Sequence, residues 1–110
     1  MKIPAIPFTI TKFSELPASA AAGSTGSSLS RTAEMGDLRI RLVEYGPGYL
    51  ADHWCDRGHV FYLLRGEVTV ELGDGRSFPM KAGESFQVSD HGDSPHRVRT
   101  ATGAAAFILD

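Results

Sequence analysis

The chain has 110 residues, 42% hydrophobic and 22% charged, with a net charge of −2. That length serves one hydrophobic core. The weak negative charge, with no long basic block, argues against nucleic acid or an anionic membrane as a partner.

Residues 1–36 read as an N-terminal strand and flexible loop that pack on or extend a barrel built from 37–110. The opening MKIPAIPFTITKF is broken by prolines and lacks the apolar stretch of a signal peptide. No run reaches the ~18 apolar residues of a membrane span. A single cysteine calls for no oxidising compartment, so a cytoplasmic location is expected. FTIT (8–11) predicts a short strand. PASAAAGSTGSSLS (17–30), almost all small residues, predicts a surface loop.

From residue 37 the pattern has period two. In DLRIRLVEY, Leu38, Ile40 and Leu42 alternate with Arg39, Arg41 and Val43, the mark of a half-buried strand. GPG (46–48) breaks it. YLADHWC (49–55) and HVFYLLRG (59–66) follow as strands, then EVTVEL (67–72), with Val68, Val70 and Leu72 on one face. Asp74-Gly75 marks a hairpin. ESFQVS, HRVRT and AAAFIL complete about eight short strands at roughly 8–12-residue spacing, with no sustained helical period. This predicts an all-β sandwich or barrel, with a ligand site at its mouth.

The chemistry concentrates in DHWCDRGH (52–59), which holds the only cysteine and two of the four histidines. On a strand, His53 and Cys55 project to one face. A reversal at Asp56-Arg57-Gly58 then returns His59 beside them. Imidazole and thiolate suit zinc, iron, nickel or copper. His96, sharing a face with Val98 and Thr100, is the candidate fourth ligand, and His91 reads as an exposed turn histidine. The competing readings are an empty pocket with polar walls and a Cys55 thiolate activated by a neighbouring histidine. Asp52 is a candidate to orient a ligating histidine, and Tyr49, Phe61 and Gln87 are candidate pocket walls. Trp54 should face outward, and Arg39, Arg41, Arg97 and Arg99 look like an anion-binding set but, with Arg97 and Arg99 off the face of His96, read as solvated or interface arginines.

This arrangement resembles the cupin superfamily. The spacing of its first motif fits His53-Trp54-Cys55, then His59, then Gly66, although Cys55 stands where the motif has a second His and His59 where it has a Glu. Its second motif corresponds to Gly83, the Asp90-His91-Gly92 turn and His96, with one residue added before the turn and one within it, the usual Pro replaced, and Thr100 where an Asn is usual. IPAIPFTIT, VEYGPGYLADHWC, the following GH and DGRSF look like a small single-domain cupin-fold family marked by a DHCW motif. The resemblance implies a double-stranded β-helix, or jelly-roll barrel, with one divalent transition metal per chain, and no particular reaction. Two functions follow. One is a metalloenzyme, dioxygenase- or isomerase-like, acting on a small polar molecule. The other is a non-enzymatic binding or sensing module with a structural metal or none. The resemblance also implies a homodimer.

Overall fold

The computed structural model describes residue 3 and residues 5–110. One turn of 3-10 helix at Phe13–Glu15 precedes nine strands: β1 (Ser19–Ala22), β2 (Ser27–Met35), β3 (Leu38–Tyr45), β4 (Tyr49–Leu50), β5 (His59–Leu72), β6 (Ser77–Lys81), β7 (Ser85–Val88), β8 (His96–Thr100) and β9 (Ala104–Leu109). All strand pairings are antiparallel. No helix among the described residues is long and apolar enough to cross a membrane.

β5 organises the barrel. HVFYLLRG and EVTVEL, expected as separate strands, form one strand of 14 residues. It breaks register between Leu63 and Arg65, and Gly66 follows with φ of 82°. Such a bulge bends a strand and sharpens its twist. A Cβ on Gly66 would fall 2.3 Å from the Gly103 carbonyl oxygen, so the bend requires glycine. Before the bend β5 pairs with β7 and β9; beyond it, with β6 and β8. One sheet therefore runs β1-β2-β3-β9-β5-β7 and the other β4-β8-β5-β6. Between them lies a core that includes Phe61, Leu63, Val68, Val70, Val98 and Ile108. Full burial of side chains like Phe61 and Leu63 contributes about 1.5–3 kcal/mol each.

The face of β3 that turns inward carries Val43 and Tyr45, both buried, and, by the same alternation, Arg39 and Arg41. The Leu38, Ile40 and Leu42 face is half-buried. Leu42 lies opposite Phe107 of β9, whose ring meets Phe13 edge-on at 6.5 Å. The N-terminal segment thus covers the outer side of this sheet.

Three sequence expectations need correction. Residues 17–30 are not a loop: β1 and the start of β2 form a hairpin in register from Ser19↔Ser30 to Ala22↔Ser27. Its bonds are made by backbone, which small side chains leave free to pair. FTIT forms no strand; it has no pairing partner, and Phe8 and Ile10 are exposed. YLADHWC supplies only the two residues of β4 and then bends at Asp52 and His53.

Candidate metal centre

The bend in β5 brings both of its ends to one mouth of the barrel. His59 starts the strand, and Leu72, at its end, pairs with His96 at the start of β8. Cys55 forms an isolated bridge with His96: each backbone N–H donates to the other's carbonyl, at 2.8 and 2.9 Å. Residues directly opposite in such a pair send their side chains to the same face. Cys55, His59 and His96 consequently offer one ligand atom each, all within 4.8 Å of one another.

The Nε2 atoms of His59 and His96 stand 2.8 Å apart. Burial, reinforced by His96, pushes His59 down to about 4, and burial also lowers His96. Both rings are therefore neutral at pH 7. Facing each other, the two Nε2 atoms share a single proton, and a cation in its place would engage both lone pairs. Phe86 holds the rings in position, stacked on Phe61 at 4.9 Å and meeting His59 and His96 edge-on at 5.6 and 5.4 Å.

Behind His59 stands a residue that the sequence did not single out. Asp110 directly follows β9, and its side chain is 1% exposed. It accepts two bonds from Arg39, both 2.9 Å, and one from Arg41 at 3.2 Å, with Arg57 Nε 3.7 Å away. Burial alone would raise this carboxyl, but the Arg39 bond and the positive charge of Arg41 and Arg57 outweigh it, and Asp110 titrates below the usual range. Its Oδ2 lies 3.8 Å from His59 Nδ1, which is buried without a hydrogen-bond partner. A carboxylate there favours the proton on Nδ1 and leaves the Nε2 lone pair for a ligand.

His53 does not join the cluster. The chain bends at residues 52–53, so the same-face rule of a strand does not apply, and the His53 side chain is 77% exposed. It stands at the rim of the same cavity of about 140 Å³, with Nδ1 2.7 Å from Asp52 Oδ1. Asp52 thus orients a rim histidine. Tyr49 and Phe61 line that cavity; Gln87 lines neighbouring ones and accepts a bond from Ser85 Oγ at 3.2 Å. His91 is exposed and pairs with Asp56. Trp54 lies beneath the Arg97 guanidinium at 4.3 Å. Arg97 and Arg99 bond Glu71 at 2.7 and 3.0 Å, whereas Arg39 and Arg41 serve Asp110 instead of solvent. Arg41, expected in solvent or at an interface, also lines the cavity, as do Tyr45 and Phe86, which had not been singled out. Alternation with Val43 was the available signal for the first two.

A family model described as Cupin domain matches residues 41–110. The chain is a cupin. The match spans Cys55, His59, His96 and Asp110, and it speaks for the cupin domain as a whole, not for the smaller DHCW-motif family. Solved structures agree on this cupin's fold. A predicted oxalate decarboxylase from Thermotoga maritima is 18% identical at a TM-score of 0.75, covering 92% of this chain and 96% of its own. The polyketide cyclase RemF from Streptomyces resistomycificus is 18% identical at 0.76, covering 94% and 78%. A cupin superfamily protein from Desulfitobacterium hafniense is 14% identical at 0.64, covering 81% and 79%. No curated protein matches the sequence.

Proposed function

We propose that Cys55, His59 and His96 hold one divalent transition metal at the mouth of the cupin barrel, and that the site acts on a small polar molecule. The observation that carries this reading is the convergence of three ligand atoms within 4.8 Å, two of them on buried, neutral imidazoles. The two nitrogens and one sulfur suit zinc, iron, nickel or copper. Bound there, such a metal supplies Lewis acidity or a place for dioxygen, the chemistry of isomerisation or dioxygenation. Asp110 favours the Nδ1-protonated tautomer of His59, Phe86 holds both imidazoles, and Phe61 and Phe86 keep the floor of the cavity apolar.

Three protein donors leave a coordination position open, as catalytic sites do, which supports an enzyme over a closed structural site. His53 is the residue that bears on the alternative. If it swung in from the rim as a fourth ligand it would close the site, the state expected of a non-enzymatic sensing or binding cupin. We also propose a cytoplasmic homodimer. The lone Cys55 suits a reducing compartment, and Phe8 and Ile10, 93% and 73% exposed, offer apolar surface to a second copy.

The test is elemental analysis of the untagged wild type beside single alanine variants of Cys55, His59, His96 and His53. The expected result is near-stoichiometric metal in the wild type and in His53→Ala, and loss in the other three. Wild type without metal, even after anaerobic reconstitution with iron, zinc, nickel and copper, would refute the metal reading. Loss in His53→Ala equal to that in His96→Ala would favour the closed, four-ligand site.

A further inference from the structure

The cavity that contains the cluster is asymmetric in charge. Among the described residues no Asp or Glu lines it, whereas Arg41 and Arg97 do. Arg97 is committed to Glu71 at 2.7 Å. Arg41 is not fully engaged: among the described residues its one hydrogen bond is from Nη2 to Asp110 at 3.2 Å, and its buried Nε has no acceptor. Arg39, Arg41 and Arg57 all face Asp110. Even with Glu34 beside Arg39, guanidinium groups outnumber carboxylates on this side of the barrel.

Arg41 and Tyr45 leave β3 on the same face, four residues apart, and both reach the cavity. The Tyr45 hydroxyl makes no hydrogen bond among the described residues. Burial raises its titration well above neutral, so it stays a donor. A guanidinium with donors to spare and an unpartnered hydroxyl donor, both lining one cavity, match the acceptor oxygens of a carboxylate. The remaining walls, Tyr49, Phe61 and Phe86, are aromatic and suit a short carbon skeleton.

We propose that this cavity binds a small carboxylate anion, its carboxylate received by Arg41 and the Tyr45 hydroxyl and its other end directed at the Cys55–His59–His96 cluster. This rests on the reading of the cluster as the functional site, and it names the substrate class. Surplus positive charge in a partly desolvated pocket also discriminates against neutral analogues, because removing the anion leaves buried donors unpaired.

Calorimetric titration with acetate, malonate and succinate, and with malonamide as a neutral analogue, tests the proposal on zinc-loaded and chelator-treated protein. At least one carboxylate should bind and malonamide should not. Tyr45→Phe, which keeps the ring, should weaken binding several-fold. Arg41→Lys, which keeps a charge near Asp110, should weaken it about tenfold or more, equivalent to about 1.4 kcal/mol. Arg76→Gln, between β5 and β6 and bonded to Asp74 and Asp93 away from the cavity, should bind like the wild type. The proposal is overturned if no carboxylate binds, if malonamide binds equally well, if Tyr45→Phe and Arg41→Lys both match the wild type, or if Arg76→Gln loses as much as Arg41→Lys. Metal uptake without carboxylate binding would remove this proposal alone. Arg41-dependent binding in a protein that takes up no metal would remove the metal reading alone.

Discussion

Asp110 Oδ2 lies 3.8 Å from the buried Nδ1 of His59, placing a carboxylate held by Arg39 and Arg41 behind one of the three clustered ligands. Asp110→Ala removes the shared acceptor of two guanidinium groups. Stranding buried charges costs about 3–5 kcal/mol, and because both arginines are partly exposed the lower end is expected, read from urea denaturation. Loss of a carboxylate behind a ligating histidine weakens metal binding about 10–100-fold, to be measured by chelator competition. Asp110→Asn, which keeps an acceptor, should recover part of that affinity. Equal affinity in wild type and Asp110→Ala would show that the carboxylate serves the fold only.

The histidine pair makes stability pH-dependent. His59 titrates at about 4 in the folded chain against an ordinary 6.5, so below pH 6.5 the unfolded chain takes up a proton that the native state resists. Stability therefore falls as pH drops from 6.5 towards 4, and His96, also lowered, adds to the fall in the same direction. Asp110 is lowered from 3.8, so its contribution is lost only below that window. His91, raised mainly by its bond to Asp56, has the opposite sign: its contribution is lost as pH rises past its folded value, and its exposure keeps the effect small. Urea midpoints of chelator-treated protein across this range should show the acid-side slope, and His59→Gln should remove most of it. An unchanged slope in that variant would place the titrating group elsewhere.

Two glycines separate backbone strain from steric conflict. Gly66 and Gly75 both have positive φ, at 82° and 99°. A Cβ at Gly75 meets nothing within 4 Å, while at Gly66 it meets the Gly103 carbonyl oxygen at 2.3 Å and Ala104 Cα at 2.9 Å. Gly75→Ala should cost about 1 kcal/mol and Gly66→Ala more than about 2 kcal/mol. Chemical denaturation distinguishes them; equal losses would mean that the β5 bend yields easily.

The proposed dimer has candidate surfaces. On β5, Tyr62 and Leu64 point outward between buried Phe61 and Leu63, and Phe8 and Ile10 stand clear of the barrel. Light scattering at micromolar concentration should give the mass of two chains. Phe8→Ser combined with Ile10→Ser should shift it towards one while leaving the circular dichroism unchanged. A monomeric wild type would dismiss the dimer.

Local alternation in the chain was enough to read the β architecture, the Asp74-Gly75 hairpin and the inward face of Val68 and Val70, because period two is a property of each strand alone. The residue types of Cys55, His59 and His96 were likewise enough to mark them as candidate ligands, and the structure brings these three together. Only the tertiary structure decided which side of β3 faces the interior, because both of its faces are covered and alternation does not rank them. It left His53 at the rim, because the chain bends at residues 52–53 instead of continuing as a strand. It delivered Asp110 to His59 through the pairing of β9 with β3 and β5, a meeting of residues far apart in sequence that no local pattern records. It turned the small residues of 17–30 into strands, since backbone hydrogen bonds depend on a partner and not on side-chain bulk. The bend at Gly66 links these outcomes, because folding β5 back on itself carries His59 to His96 at one mouth of the barrel.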